Sequence, residues 1–317
     1  MSDLVSPTQI GHGRIREVLA RAVHGRRHHA YLFSGPARVG KGTVARAFVG
    51  AVLNRPVERW EDLGSHPDCT FLERDPEKKL IGVEGMRRFL RHFAATSLLG
   101  GAKVGVIIDA HDLSPEAANA LLKTLEEPPG NSLIVLLTDD IGRLPETIRS
   151  RAQNFRFLPV PVAEIEAGLV RRGVSKPEAA ALARLSSGSP GLALSFLADP
   201  AAREERERHV RAFASLLSAP LAERLAAAVA LAADADARSV RGLLDVWGAA
   251  LRDLLCVKTG NERSVAHSFA LPELRDAAAR RTVPALVSAC RALRDGRRAL
   301  GENVAPRLAL ESIALTL

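Results

Sequence analysis

Three short stretches carry residues whose types and spacing could do chemistry. The first is GPARVGKG at 35–42, which fits G-x4-G-K. Gly35 and Gly40 would let backbone N–H groups close around phosphates, and Lys41 would reach the outer ones. The residue after such a lysine should be Ser or Thr, to place a hydroxyl on Mg²⁺, yet here it is Gly42. Thr43 does not simply replace it, because one step along a helix turns a side chain by about 100°. Metal binding is therefore expected to be impaired on one side.

The second stretch is VGVIIDAHDLS at 104–114, where a hydrolytic site of this kind needs an Asp–Glu pair, one for the metal and one to orient the attacking water. Only one carboxylate stands at that point. Counted from the strand, Asp109 is the metal ligand and Ala110 replaces the Glu. Counted back from a helix start at Ser114, Asp109 takes the Glu position and Ile108 replaces the Asp. The helix cap favours the second count, and both leave the pair incomplete. Asp112 lies in the turn before the helix and is expected to be solvated rather than a substitute ligand. Weak or vestigial ATP binding is compatible with this set of residues, but efficient hydrolysis is not. The third stretch, IRSRAQNFRFLP at 148–159, places Arg151 after Ser150 and just ahead of an edge strand. Taken alone it is a solvated arginine among three.

These residues must be positioned by the elements around them. Between residues 29 and 158 apolar runs alternate with helical patterns, the rhythm of a parallel sheet covered by helices. The predicted strands are 30–34, 69–73, 103–109, 133–138 and 154–158, and near-continuous runs such as VGVII suit burial on both faces. Ser114 should cap a helix whose first turn takes Pro115; Ala118, Leu121, Leu122 and Leu125 share one face, and PPG at 128–130 ends it.

Past Pro159 the strand signals stop, and the chain becomes rich in Ala, Leu and Arg at helical spacing, with breaks near 187–191, 198–200, 218–220 and 258–264. The fold class is thus an α/β P-loop domain with a parallel five-stranded sheet, followed by a small helical domain and a larger all-α domain. The predicted boundaries are 1–159, 160–202 and 203–317.

A chain of 317 residues suits several domains, and no apolar run approaches the eighteen residues of a membrane span. The opening MSDLVSPTQIGHGRI has none of the blocks of a signal peptide, so a soluble, cytoplasmic protein without a membrane partner is expected. Cys69, Cys256 and Cys290 lie far apart with no CxxC pair, which argues against disulfides and a zinc ribbon. His66 stands near enough to Cys69 to share a metal, but without further paired ligands both are expected to be ordinary surface residues. The net charge of +8 is a weak pointer to a polyanion, and one tyrosine with two tryptophans makes an aromatic platform for single strands unsuitable. The segment EGMRRFLRHF at 84–93 sets Arg87, Arg88 and Arg91 on adjoining positions, with Met86, Phe89, Leu90 and Phe93 opposite. A basic face turned to a protein partner or to duplex phosphates and a plain solvated face fit it equally.

Taken together, SPEAANALLKTLEEPPGNSLIVLLTDDIGRLPETIRSRAQNFRF at 114–157, HAYLFSGPARVGKG at 29–42 and HPDCTFLE at 66–73 resemble the bacterial clamp-loader AAA+ family, most closely its delta-prime branch. The likeness covers roughly residues 5 to 195; beyond them only the helical character matches. The resemblance implies an AAA+ domain, a lid and a collar through which five subunits, ATPase motors and delta among them, form a ring in the DNA polymerase III holoenzyme. That ring opens the sliding clamp and sets it on primed-template DNA. Delta-prime subunits are similar to a stator and are poor ATPases, so no nucleotide is required.

The family's SRC motif falls on Ser150, Arg151 and Ala152. The resemblance gives Arg151 a role in trans, on the γ-phosphate of a neighbouring subunit's ATP. Gly191 stands where active relatives carry an arginine that contacts their own ATP. Of a four-cysteine zinc module found in many relatives only Cys69 is present, so no zinc is expected. Two other readings remain open: a motor subunit hydrolysing its own ATP, and a small-molecule P-loop kinase.

Overall fold

The computed structural model describes residues 9–317 apart from positions 56, 58, 76, 234 and 303 and the side chain at 238. Most of the opening stretch read above for a signal peptide, residues 1–8, lies outside the described residues.

Five strands form one sheet: β1 (Ala30–Ser34), β2 (Cys69–Leu72), β3 (Lys103–Ile107), β4 (Ser132–Thr138) and β5 (Gln153–Arg156). Their order is β2-β3-β4-β1-β5 and every pairing is parallel. The expected class is therefore the one observed, and the central strands are buried along almost their whole length because helices cover both faces. β3 stops earlier than predicted, since Asp109 takes a left-handed φ of 51° and a 3₁₀ turn follows over Ala110–Asp112. β5 also ends earlier than predicted, though the Phe157 N–H still donates to the Ser34 carbonyl at 2.7 Å.

The helices of the sheet region are α1 (Gly13–His24), α2 (Lys41–Val52), α3 (Glu61–Gly64), α4 (Val83–Ala94), α5 (Pro115–Glu126) and α6 (Glu146–Arg149). Successive residues of β1 point to opposite faces. Tyr31 and Phe33 join Leu19, Val44 and Phe48 in one core, and Ala30 and Leu32 join Met86, Phe89, Phe93, Leu121 and Leu125 in the other. The start of α5 is as expected: the Ser114 hydroxyl accepts from the Ala117 N–H at 3.2 Å and Pro115 takes the first turn.

After β5 come α7 (Val162–Val170), α8 (Lys176–Leu185) and α9 (Pro190–Ala198), then α10 (Pro200–Ser218), α11 (Leu221–Ala232), α12 (Ala237–Lys258), α13 (Leu271–Arg280), α14 (Val283–Gly301) and α15 (Pro306–Thr316). The breaks fall where the turn residues placed them; Asp199, for example, caps α10 by accepting from the Ala201 and Ala202 N–H groups. The chain divides into two compact units, one ending at Ala193 and the other spanning Leu194–Leu317. No helix among the described residues is long and apolar enough to cross a membrane.

Among its described residues the second unit has helices and no strand, packed around a core that includes Val210, Phe213, Trp247, Leu251, Leu286 and Ile313. Within it Asp253 and His267 are both fully buried, and the carboxylate accepts from His267 Nδ1 at 2.7 Å and from the Ala266 and His267 N–H groups. Burial would raise the Asp253 pKa, but the bonds from the His267 ring and the two N–H groups outweigh it and leave the carboxyl below its usual range. This cluster ties the loop before α13 to α12. Asp253→Ala would strand those donors, so urea unfolding should show a loss of about 2–3 kcal/mol. Because the folded pKa is depressed, the carboxylate stabilises the parent above the unfolded pKa near 3.9, and that contribution is lost as pH falls through the folded value. The variant should lack this acid-side loss; an unchanged urea midpoint would show the cluster is not a clasp.

Candidate nucleotide site

The phosphate-type loop leaves β1 at Ser34 and opens α2 at Lys41, as the motif requires. Because β1 lies between β4 and β5, the loop starts beside the ends of both. The Gly35 N–H donates to the Thr138 carbonyl at 3.3 Å. Its φ is 148°, and a Cβ there would lie 2.2 Å from the Phe157 carbonyl oxygen, so only glycine fits. Gly40, at φ 114°, is the residue before α2.

Lys41 is 6% exposed. Its ammonium donates to the carbonyls of Gly35 at 2.7 Å and Pro36 at 2.6 Å, and pairs with Asp139 Oδ1 at 2.6 Å. Asp139 escaped the sequence reading. It directly follows β4, whose Thr138 is in register with Ser34 of β1, so its place beside the loop is visible once strand order is known.

Gly42 is not enforced by crowding: a Cβ there would meet nothing nearer than Trp60 Nε1 at 3.8 Å. The Thr43 side chain is exposed on α2. Asp109 is half-exposed in the left-handed turn after β3.

Asp112 corrects an expectation. It is not solvated: its carboxylate meets Arg74 Nε at 3.1 Å and Arg143 Nη1 at 3.1 Å, and its side chain is 15% exposed. Two guanidinium groups already claim its oxygens, which ties it to the loop after β2 and to the turn after β4.

The Gly191 N–H donates to the Arg38 carbonyl at 2.9 Å, and a Cβ on Gly191 would lie 2.9 Å from that oxygen. Any side chain here would push the start of α9 off the loop. His12 Nε2 donates to the neighbouring Val39 carbonyl at 2.9 Å. Burial lowers the His12 pKa despite that bond.

Arg151 sits in the turn between α6 and β5, and β5 is an edge strand as expected. It is held rather than freely solvated. Its guanidinium pairs with Glu126 Oε1 at 2.7 Å and donates to the Thr147 carbonyl at 3.0 Å. The Ser150 hydroxyl bonds the same carbonyl at 3.2 Å. On α4, Arg87, Arg88 and Arg91 are exposed while Met86, Phe89 and Phe93 are buried, and Arg87 lies 3.4 Å from Glu84.

His66 and Cys69 are not surface residues. His66 is buried with Nδ1 accepting from the Asp68 N–H at 3.1 Å, and burial pushes the half-buried Cys69 thiol up to about 12.

Residues 11–161 match the family model described as DNA polymerase III, delta subunit. This segment is similar to that family. It contains all three stretches that carry the clamp-loader resemblance. Among curated relatives, DNA polymerase III subunit delta' of Pseudomonas aeruginosa is 34% identical over a 214-residue alignment, covering 62% of this chain and 65% of that one. Subunit delta' of Escherichia coli is 35% identical over 185 residues, covering 54% of this chain and 55% of that one. Subunit tau of Salmonella typhimurium is 29% identical over 291 residues, 85% of this chain and 44% of that one. The chain thus spans less than two thirds of the length of each of these relatives.

Two substitutions separate what the loop needs from what it merely carries. Gly35→Ala should lower thermal stability by about 2–4 kcal/mol through backbone overlap with Phe157. Gly42→Ser should stay within about 0.5 kcal/mol of the parent. Calorimetric melting of the two variants checks both, and equal effects would contradict the assigned packing.

Proposed function

We propose that this chain is an accessory, delta-prime-like subunit of a bacterial clamp loader. It helps open the sliding clamp and load it on primed-template DNA, in a cytoplasmic ring with ATPase motor subunits and delta. Its own nucleotide site, built from Gly35, Gly40, Lys41, Gly42, Thr43 and Asp109, is degenerate: it needs no nucleotide or zinc, and retains at most vestigial ATP binding. Arg151, positioned through Ser150, supplies a guanidinium to the neighbouring subunit's ATP.

The observation that carries this reading is the contrast between the two ends of β1's neighbours. The loop side lacks the metal-binding hydroxyl at Gly42, while the β5 side presents a guanidinium on the turn before an edge strand. Arg151 is 35% exposed and its partner Glu126 51% exposed. Ion pairs that open to water are worth about 0–1 kcal/mol, so the guanidinium can exchange Glu126 for a phosphate at little cost. Its planar fork suits the spread charge of a transferring phosphoryl group in a way that lysine does not.

The motor-subunit reading draws on the retained Gly35, Gly40 and Lys41 and on the likeness to a tau subunit. Gly42, the single carboxylate at Asp109 and the tight fit at Gly191 oppose it. A small-molecule kinase leaves the family match over 11–161 without a reason.

Steady-state ATPase of the reconstituted loader with clamp and primed DNA separates these readings. Arg151→Ala should cut hydrolysis at the neighbouring site by about 10³-fold or more, Arg151→Lys should not restore it, and Lys41→Ala should leave turnover near the parent's. Loss of turnover in Lys41→Ala with Arg151→Ala active would establish the motor reading instead. For the α4 face, replacing Arg87, Arg88 and Arg91 by alanine should reduce the salt slope of DNA affinity by about 0.9 for each phosphate that is no longer neutralised. An unchanged slope would mean that these arginines only solvate the helix.

A further inference from the structure

Lys41 is the cation that a phosphate-binding loop offers to its ligand, and an ammonium has three N–H donors. Here all three have partners within the protein: the Gly35 carbonyl at 2.7 Å, the Pro36 carbonyl at 2.6 Å and the Asp139 carboxylate at 2.6 Å. The side chains of Lys41 and Asp139 are 7% and 32% exposed, so the lysine is enclosed and the acid closes the open side of the pair. An oxygen anion thus already stands against the ammonium.

The origin of that anion matters. A carboxylate on β3 would be committed to a metal, and the metal would bring positive charge with the phosphates. Asp139 comes from the end of β4 instead, and Gly42 offers no hydroxyl to a metal. A phosphate entering here would have to break the Lys41–Asp139 pair and then sit beside an uncompensated carboxylate. The start of α9 fixes the same loop from another side through the Gly191 N–H to the Arg38 carbonyl, and His12 bonds Val39. Protein groups thus hold the loop at Gly35, Pro36, Arg38 and Val39.

We propose that Asp139 is the residue that sets this loop's discrimination against nucleotide: it is a built-in counter-ion that takes the place of a phosphate oxygen on Lys41. This inference deepens the degenerate-site reading and rests on it. The assignment of Arg151 does not depend on it, because the test uses the isolated chain and no neighbouring subunit.

Isothermal titration of ADP with Mg²⁺ into the full chain provides the test, comparing the parent with Asp139→Asn. The amide keeps the shape and can still accept from Lys41, but removes the negative charge. The expected result is binding about tenfold tighter or more in Asp139→Asn than in the parent. Should the asparagine variant fail to fold, Asp139→Thr removes the same charge and carries the same expectation. A gain of clearly less than tenfold, including binding by neither protein, overturns the proposal. If it is overturned while Arg151→Ala still silences the assembled loader, the accessory-subunit reading stands without the lock.

Discussion

β1 is paired on both sides, by β4 and by β5, and that double pairing fixes where the chemistry of the sheet lies. In a parallel sheet all carboxyl ends open on one side, so loops leaving adjacent strands are neighbours whatever their separation in sequence. The loop after β1 meets the first residue after β4 as an ion pair, and it meets the end of β5 as backbone against backbone at Gly35 and Phe157. A wider residue at 35 or a longer β5 would disturb both pairings. The motif glycine is thus held by packing before any ligand is considered.

The charges near this edge are organised by pairs, and the pairs differ in kind. Asp112 lies between two arginines with little exposure, so removing any one member would leave charge behind in a poorly solvated place. Lys41 and Asp139 form a closed couple of the same sort, completed by two backbone carbonyls. Arg151 and Glu126 form the more exposed pair, and Arg151 is held as well by the Thr147 carbonyl. The first two arrangements tie together segments that are distant in the chain, and the third joins the turn before β5 to the end of α5.

What was legible in the sequence was local. Strand positions, the Ser114 cap with Pro115, the loop glycines and the breaks between C-terminal helices all follow from neighbours a few residues apart. The misjudged residues depend on distant partners. Asp112 reads as a solvated turn acid until the fold brings up Arg74 and Arg143, and His66 reads as surface until its loop is packed. Asp139 reads as the first of two acids in a turn, and acquires meaning only when β4 is known to lie next to β1. The Asp253–His267 pair was invisible for the same reason: nothing in the spacing of the two residues announces that a loop folds back onto α12.

The early end of β3 follows from the same logic. Asp109 adopts a left-handed conformation, which aspartate tolerates better than bulky residues do, and this turns the chain into the 3₁₀ segment that carries Asp112 to its arginines. The turn therefore takes the chain out of the sheet one residue after Ile108, whose N–H still bonds the Leu72 carbonyl. A residue read only for its carboxylate is also the point at which the strand ends. The backbone demand at Asp109 exists whether or not a metal is ever bound there, and aspartate is one of the few residue types that meet it without strain.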